Sequence, residues 1–119
     1  MAQHNDLGKK GEQLAVDFLI KKGYKIREQN FRHQKAEVDI IAQKENTLCA
    51  VEVKTRSTPE FGNPQDFVKP QQIQRLVNAI DYYVNENNLD VDVRFDIVAI
   101  IKNKQGTKLE HLEDAFLFF

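Results

Sequence analysis

Two β-branched, alternating runs stand almost back to back in this chain, Glu37–Gln43 and Thr47–Thr55, with only the polar Lys44-Glu45-Asn46 between them. Both read as strands. A gap this short folds the second strand back along the first as an antiparallel hairpin. Side chains alternate faces along a strand, so Glu37, Asp39 and Ile41 share one face of the first run. In the second, Leu48, Ala50, Glu52 and Lys54 share a face while Cys49, Val51 and Val53 point the other way. A hairpin with the loop Lys44–Thr47 pairs Gln43 with Leu48, and then sets Asp39 against Glu52 and Glu37 against Lys54. A one-residue slip throws Asp39 and Glu52 onto opposite faces. Loops of four or five residues are both common, so the register stays open at this point.

The remaining segments suit a layered fold. Leu7, Leu14, Ala15, Phe18 and Leu19 recur at helical spacing between Asp6 and Lys22, with Asp6 placed to cap the start and Gly23 to end the helix. Glu12 lies at the margin of that apolar stripe, in line with Ala15, Val16 and Leu19. Tyr24–Arg32 reads as extended with a turn near Gln29-Asn30. Arg56–Lys69 holds Pro59, Gly62 and Pro64 and reads as a functional loop. Pro70 opens a second helix carrying Ile73, Leu76, Val77, Ile80 and Val84, which fades by Asn87-Asn88. Asp92–Ile101 is a third strand, Asn103–Gly106 a turn, and Lys108–Leu112 a short final strand. The aromatic tail Ala115–Phe119 is expected to dock on the core. This order predicts a single α/β domain over residues 1–119 with a mixed sheet.

Composition narrows the function classes. The chain has 119 residues, 41% hydrophobic and 29% charged, an ordinary globular balance. Its apolar runs are too short to cross a bilayer and its start lacks the pattern of a secretory signal, so a cytoplasmic protein with no membrane partner is expected. One cysteine, Cys49, excludes an intramolecular disulfide and four-cysteine zinc sites, and it reads as a buried filler. His4, His33 and His111 show no paired-ligand spacing. The net charge of −1 is unevenly spread: residues 1–75 carry 13 Lys/Arg against 10 Asp/Glu, and the rest 4 against 8. The basic residues are densest from Lys21 to Lys35, where Lys25, Arg32 and Lys35 form either a solvated face or a phosphate-binding patch.

In the Asp39–Glu52 register, two carboxylates face each other at about 5 Å between Cβ atoms. They repel unless one protonates or a cation neutralises them. Mg²⁺ or Mn²⁺ suits such oxygen ligands, and Lys54 lies one step along the same face, within reach of a phosphate oxygen. Metal, water and a cation are the parts phosphodiester hydrolysis needs. On spacing alone the plainer reading, an exposed strand face with a Glu37–Lys54 pair, is preferred.

Asp39 followed by Glu52-Val53-Lys54 resembles the PD-(D/E)XK nuclease superfamily, whose signature is an acid, a gap, and Glu-X-Lys. Almost the whole chain is similar to the YraN-type family of small bacterial proteins with that nuclease-like fold. The likeness includes Gly8-Lys9-Lys10-Gly11-Glu12 with Ala15, Gly23-Tyr24 and Asn30-Phe31-Arg32. It continues through Glu37-Val38-Asp39-Ile40-Ile41, Val51-Glu52-Val53-Lys54-Thr55-Arg56, Phe61-Gly62 and Arg94-Phe95-Asp96. It implies a restriction-endonuclease-like mixed β-sheet flanked by helices. By the same likeness Asp39, Glu52 and the Val53 carbonyl would hold Mg or Mn, Lys54 would be the catalytic lysine, and Glu12 the helix acid that resolvase-like members bring near the metal. Two residues depart from the pattern. Ala36 stands where glycine usually precedes Glu37-Val38-Asp39, and Gln72 where a lysine commonly opens the second long helix.

Other residues carry two readings each. Arg56 grips a phosphate or pairs with a surface acid. Glu37 is a ligand or, preferably, a support for Lys54. Asp96 is expected to pair with Arg94 or another base. His33 touches nucleic acid or is simply solvated. Phe61 and Phe67 stack on bases or pin their loop to the core. The reading that gathers most residues is a metal-dependent, endonuclease-like phosphodiesterase acting on DNA or structured nucleic acid, as a homodimer where both strands of a duplex are cut. The alternatives are a non-catalytic nucleic-acid-binding module and a protein-interaction module on the same fold.

Overall fold

The computed structural model describes residues 6–58 and 68–116. Its elements run α1 (Asp6–Lys21), β1 (Lys25–His33), β2 (Ala36–Lys44), β3 (Thr47–Arg56), α2 (Pro70–Glu86), β4 (Asp92–Asn103) and β5 (Gly106–Leu112). Five strands form one mixed sheet in the order β1-β2-β3-β4-β5. Neighbours are antiparallel except β3 and β4. Parallel strands need a long crossover, and here that crossover carries α2. The expected α/β fold, a mixed sheet flanked by helices, is what the chain forms.

Strand alternation sorts the core into two layers. Leu48 and Ala50 of β3 and Phe95, Ile97 and Ala99 of β4 pack with Leu76, Ala79, Ile80 and Tyr83 of α2. Cys49, Val51, Val98 and Ile100 point the other way, onto Ala15, Val16 and Leu19 of α1. Central strands covered on both faces become nearly continuous apolar runs, and Phe95–Ile100 is broken only by Asp96. Asp96 is 0% exposed. Its carboxylate accepts two bonds from the Arg94 guanidinium at 3.0 Å each, one from the Asp114 N–H at 3.0 Å and one from His111 Nε2 at 2.8 Å. The expected Arg94 partnership is present, and two residues between α1 and β1 are tied into it: Tyr24 accepts from Arg94 at 2.6 Å, and Lys22 reaches His111 Nδ1 at 2.8 Å. A lysine only donates, so His111 Nδ1 accepts and its Nε2 carries the proton toward Asp96.

Several boundaries differ from expectation. No turn interrupts the chain near Gln29-Asn30: β1 pairs with β2 on both sides of it, Gln29 with Ile40 and Phe31 with Val38. What the polar pair marks is a local distortion, because Asn30 has φ 54°, a left-handed value that asparagine tolerates better than most residues. The hairpin between β2 and β3 keeps the expected register but has a shorter turn, since Lys44 also pairs with Thr47 and leaves only Glu45-Asn46 outside the ladder. α1 ends at Lys21, and Gly23 takes the φ of 103° that closes it. In the tail Phe116 is buried. The expectations for Pro59, Gly62, Pro64, Phe61 and Phe67, for His4, and for residues 117–119 lie outside the described residues.

Candidate active site

β2 and β3 separate at the edge of their ladder, whose last pair is Ile40 with Val51. One step beyond, Asp39 has no strand partner, and its Oδ2 accepts the Val53 N–H at 2.8 Å. The side chain thus replaces a lost ladder bond and stays tied to β3. Asp39 and Glu52 line one cleft of 430 Å³ together with Glu37, Lys35, Gln72 and Arg75. Lys54 follows on β3, its Nζ 3.9 Å from Glu52 Oε2. Glu12 arrives from α1 and lines the adjoining depression with Lys54, Thr55 and Arg56.

The approach of Glu12 depends on the residue before it. A Cβ at Gly11 would lie 2.9 Å from the Thr55 Cβ, inside any real carbon–carbon contact. Only glycine lets α1 press this closely on the end of β3. The Asn30 side chain lies near Glu12 and favours its charged form. Asn30 sits on β1 between the two pairs that flank Asp39, Gln29 with Ile40 and Phe31 with Val38.

The electrostatics are those of acids short of partners. Glu52 is 6% exposed, and its Oε1 is buried with no hydrogen-bond partner. Leaving a buried carboxylate oxygen unmatched is costly. Burial pushes the Glu52 carboxyl up to about 8, with Asp39 adding to the rise and Lys54 opposing it. Asp39 is pushed up to about 6 by burial, against the Val53 N–H, with Glu12 and Glu37 adding to the rise and Lys54 opposing it. Glu12 is raised too, by burial and then by Glu37, while Asn30 pulls the other way. Desolvated carboxylate oxygens with too few donors are the ligand set a hard divalent cation prefers. Asp39 and Glu52 therefore fit Mg²⁺ or Mn²⁺ chemically. Among the described residues no three His, Cys, Asp or Glu side chains gather closely enough to hold a metal by themselves.

The family model described as "Uncharacterised protein family UPF0102" matches residues 11–100, from the glycine that admits α1 through both acids to the end of the β4 core. The chain belongs to this family. It is 71% identical over 119 residues, covering 100% of both chains, to a UPF0102 protein of Christiangramia forsetii. It is 62% identical over the same span to one of Flavobacterium psychrophilum, and 44% identical over 116 residues, 98% of this chain and 96% of the relative, to one of Phocaeicola vulgatus. The resemblance to YraN-type proteins agrees with this membership.

In this UPF0102 chain the basic residues do not act as one patch. Lys35 lines the cleft, and Arg32 stands at its edge, 3.5 Å from Glu37 Oε1. Arg56 borders Glu12 and Lys54 on the other side. Lys25 does not join them. It pairs with Gln43 at the far end of β1, beside Arg27 and Tyr83. Glu12 belongs to the electrostatic neighbourhood but is not drawn into a single ligand cluster with Asp39 and Glu52. Sequence reasoning missed Asn30 and Arg75. For Arg75 the signal was available, because it lies three residues after Gln72 on the same side of the helix, and both line the cleft.

Proposed function

We propose that this chain is a Mg²⁺- or Mn²⁺-dependent phosphodiesterase acting on DNA or structured nucleic acid, built on the PD-(D/E)XK plan. The observation that carries the reading is the orphaned, buried Glu52 Oε1 beside Asp39, with the Lys54 ammonium 3.9 Å from the other Glu52 oxygen. Asp39 and Glu52 are the residues that would hold the cation, with the Val53 carbonyl and water completing its shell. When bound, the cation supplies charge neutralisation and acidifies water. Lys54 offers a positive charge where negative charge develops on the phosphate. Asp39 is oriented by the Val53 N–H, so its carboxylate does not need to reorganise during the reaction. Lys35 and Arg75 at the cleft, and Arg56 beyond Lys54, can bind flanking phosphates.

The test is cleavage of end-labelled duplex, branched and single-stranded substrates in millimolar Mn²⁺, with Glu52→Gln and Lys54→Met as controls. Each control is expected to lose about 100-fold or more in rate. A non-catalytic binding module is the second reading, favoured by the absence of three converging metal-ligating side chains among the described residues. Salt-sensitive binding with no cleavage of any substrate would establish it instead.

A further inference from the structure

The acid cleft does not end at Arg75. A second groove of 180 Å³, lined by His33, Gln34, Lys35, Ala36, Arg75 and Asn78, shares Lys35, Ala36 and Arg75 with it. Beyond Asn78 on α2, Tyr82 stacks on His33 with ring centroids 4.2 Å apart and planes at 20°. Gln71, Arg75, Asn78 and Tyr82 fall at i, i+4, i+7 and i+11, one face of the helix, running from the acids to the stacked rings. Tyr82 is 44% exposed, whereas its neighbour Tyr83 is 5% exposed and packs edge-on against Phe31. Tyr83 therefore takes the core position, and Tyr82 is a large aromatic ring left outward. His33 covers one side of that ring, holding it upright. None of His33, Asn78 and Tyr82 has a part in the chemistry above.

We propose that this track receives an unpaired nucleotide arm leading away from the acid cleft, with one base stacked on the outward side of Tyr82. The inference rests on the phosphodiesterase reading for what lies in the cleft, and it names the substrate class: nucleic acid with a single-stranded segment. Cations that track a backbone, followed by an aromatic ring, are the combination that binds single strands without reading sequence. Lys35 and Arg75 supply the cations where the two grooves meet. From Arg75 to Tyr82 the helix rises about 10 Å at 1.5 Å per residue, a short step of single strand between a phosphate at Arg75 and a base on Tyr82. A base inside a duplex has both faces occupied by its neighbours and only the terminal pair leaves one open, so away from duplex ends a base lies on Tyr82 only when it is unpaired.

The experiment measures binding without metal, in EDTA, by fluorescence anisotropy. Three probes are compared as DNA and as RNA: a blunt duplex, the same duplex with an unpaired arm, and the arm alone. The wild type is expected to prefer the armed duplex and the single strand to the blunt duplex, in at least one of the two chemistries. Tyr82→Leu should weaken those two about tenfold and leave the blunt duplex within about twofold, while Tyr82→Phe keeps the preference. The chain has three tyrosines and no tryptophan, so stacking on Tyr82 should quench tyrosine emission when the armed probe binds. Tyr82→Phe should remove that quenching without loss of affinity, which a ring that merely props the hairpin against α2 would not do. Melting curves check that both variants fold. Equal weakening on all three probes, or an armed-probe affinity indifferent to Tyr82→Leu, overturns the proposal. Arm preference with no Mn²⁺-dependent cleavage sinks the phosphodiesterase reading and leaves this track standing; cleavage without arm preference does the reverse.

Discussion

Asp39→Asn should make the metal-free protein more stable. The side chain keeps its shape, and the amide oxygen can still accept the Val53 N–H that Asp39 Oδ2 accepts at 2.8 Å. What disappears is a buried negative charge beside Glu52, Glu12 and Glu37. Burial raises Asp39 from 3.8 to about 6, and each pH unit is worth about 1.4 kcal/mol, so the charged form costs the fold about 3 kcal/mol. The sign follows from protonation in the two states. Above about pH 6 Asp39 is ionised both folded and unfolded, and the full cost is present. As pH falls from about 6 towards 4 the folded form holds its proton while the unfolded form remains charged, and the cost fades. Allowing for imperfect replacement by the amide, the gain at pH 8 should be about 1–3 kcal/mol, or roughly 4–12 °C in Tm for a domain of this size. At pH 5 it should fall to about half.

Thermal melts by circular dichroism at pH 8 and pH 5, with and without millimolar Mn²⁺, read all of this without a nucleic-acid substrate. Mn²⁺ at ten to a hundred times its dissociation constant should stabilise the wild type by roughly 1–3 kcal/mol through binding the folded state alone. Asp39→Asn should lose most of that gain. If Asp39→Asn lowers the metal-free Tm at pH 8, and Mn²⁺ moves both proteins equally, the acids are structural and the metal argument fails.

Two further outcomes test the scaffold. Gly11→Ala should destabilise by about 1–3 kcal/mol, the cost of overpacking against Thr55, despite the roughly 1 kcal/mol helix-propensity advantage of alanine; an unchanged or higher Tm would show that α1 can move off β3 freely. Asp96→Asn should cost about 3–5 kcal/mol because it leaves Arg94 and His111 facing an amide that cannot accept all their protons. A loss below about 1 kcal/mol in the same melts would show that the Asp96 network relaxes on substitution.

The hairpin was legible in the sequence but its register was conditional on loop length, and the ladder that pairs Gln43 with Leu48 and Ile41 with Ala50 decides it. A period of two favours registers that keep Leu48 and Ala50 on the same side as Ile41, but the three-residue polar gap alone does not choose among loop lengths. The site's burial was not legible. Glu37 and Glu52 look like part of an ordinary exposed strand face until α2 crosses over that side of the sheet, and the route of a crossover is not written in either strand. The basic run misled for a geometric reason. Lys25 and Arg32 are seven residues apart, which along a strand is about 23 Å, so neighbours in a charge tally stand at opposite ends of β1. The marginal position of Glu12 on its helix was a true signal, but its cause, the Gly11–Thr55 approach, is a tertiary contact.

Asp96 and Glu52 show why sequence pattern alone cannot separate an acid matched by protein donors from one left short of them. Each interrupts an apolar strand of the same sheet, and each is buried, at 0% and 6% exposure. Burial alone would raise both. At Asp96 the bonds from His111, Arg94 and the Asp114 N–H outweigh burial and hold the carboxyl below its ordinary range. At Glu52 one oxygen has no donor at all, the nearest cation is 3.9 Å from the other, and the carboxyl rises. The first acid is fully matched by protein donors and has no capacity left for a ligand. The second is stable as a charge only if something outside the chain supplies the missing positive partner. The difference lies in the donors around the carboxylate, which come from Arg94 of β4, from β5 and from the residues after it for Asp96 and are missing for Glu52 Oε1, and that difference is why the proposed chemistry is set at the edge where β2 leaves β3.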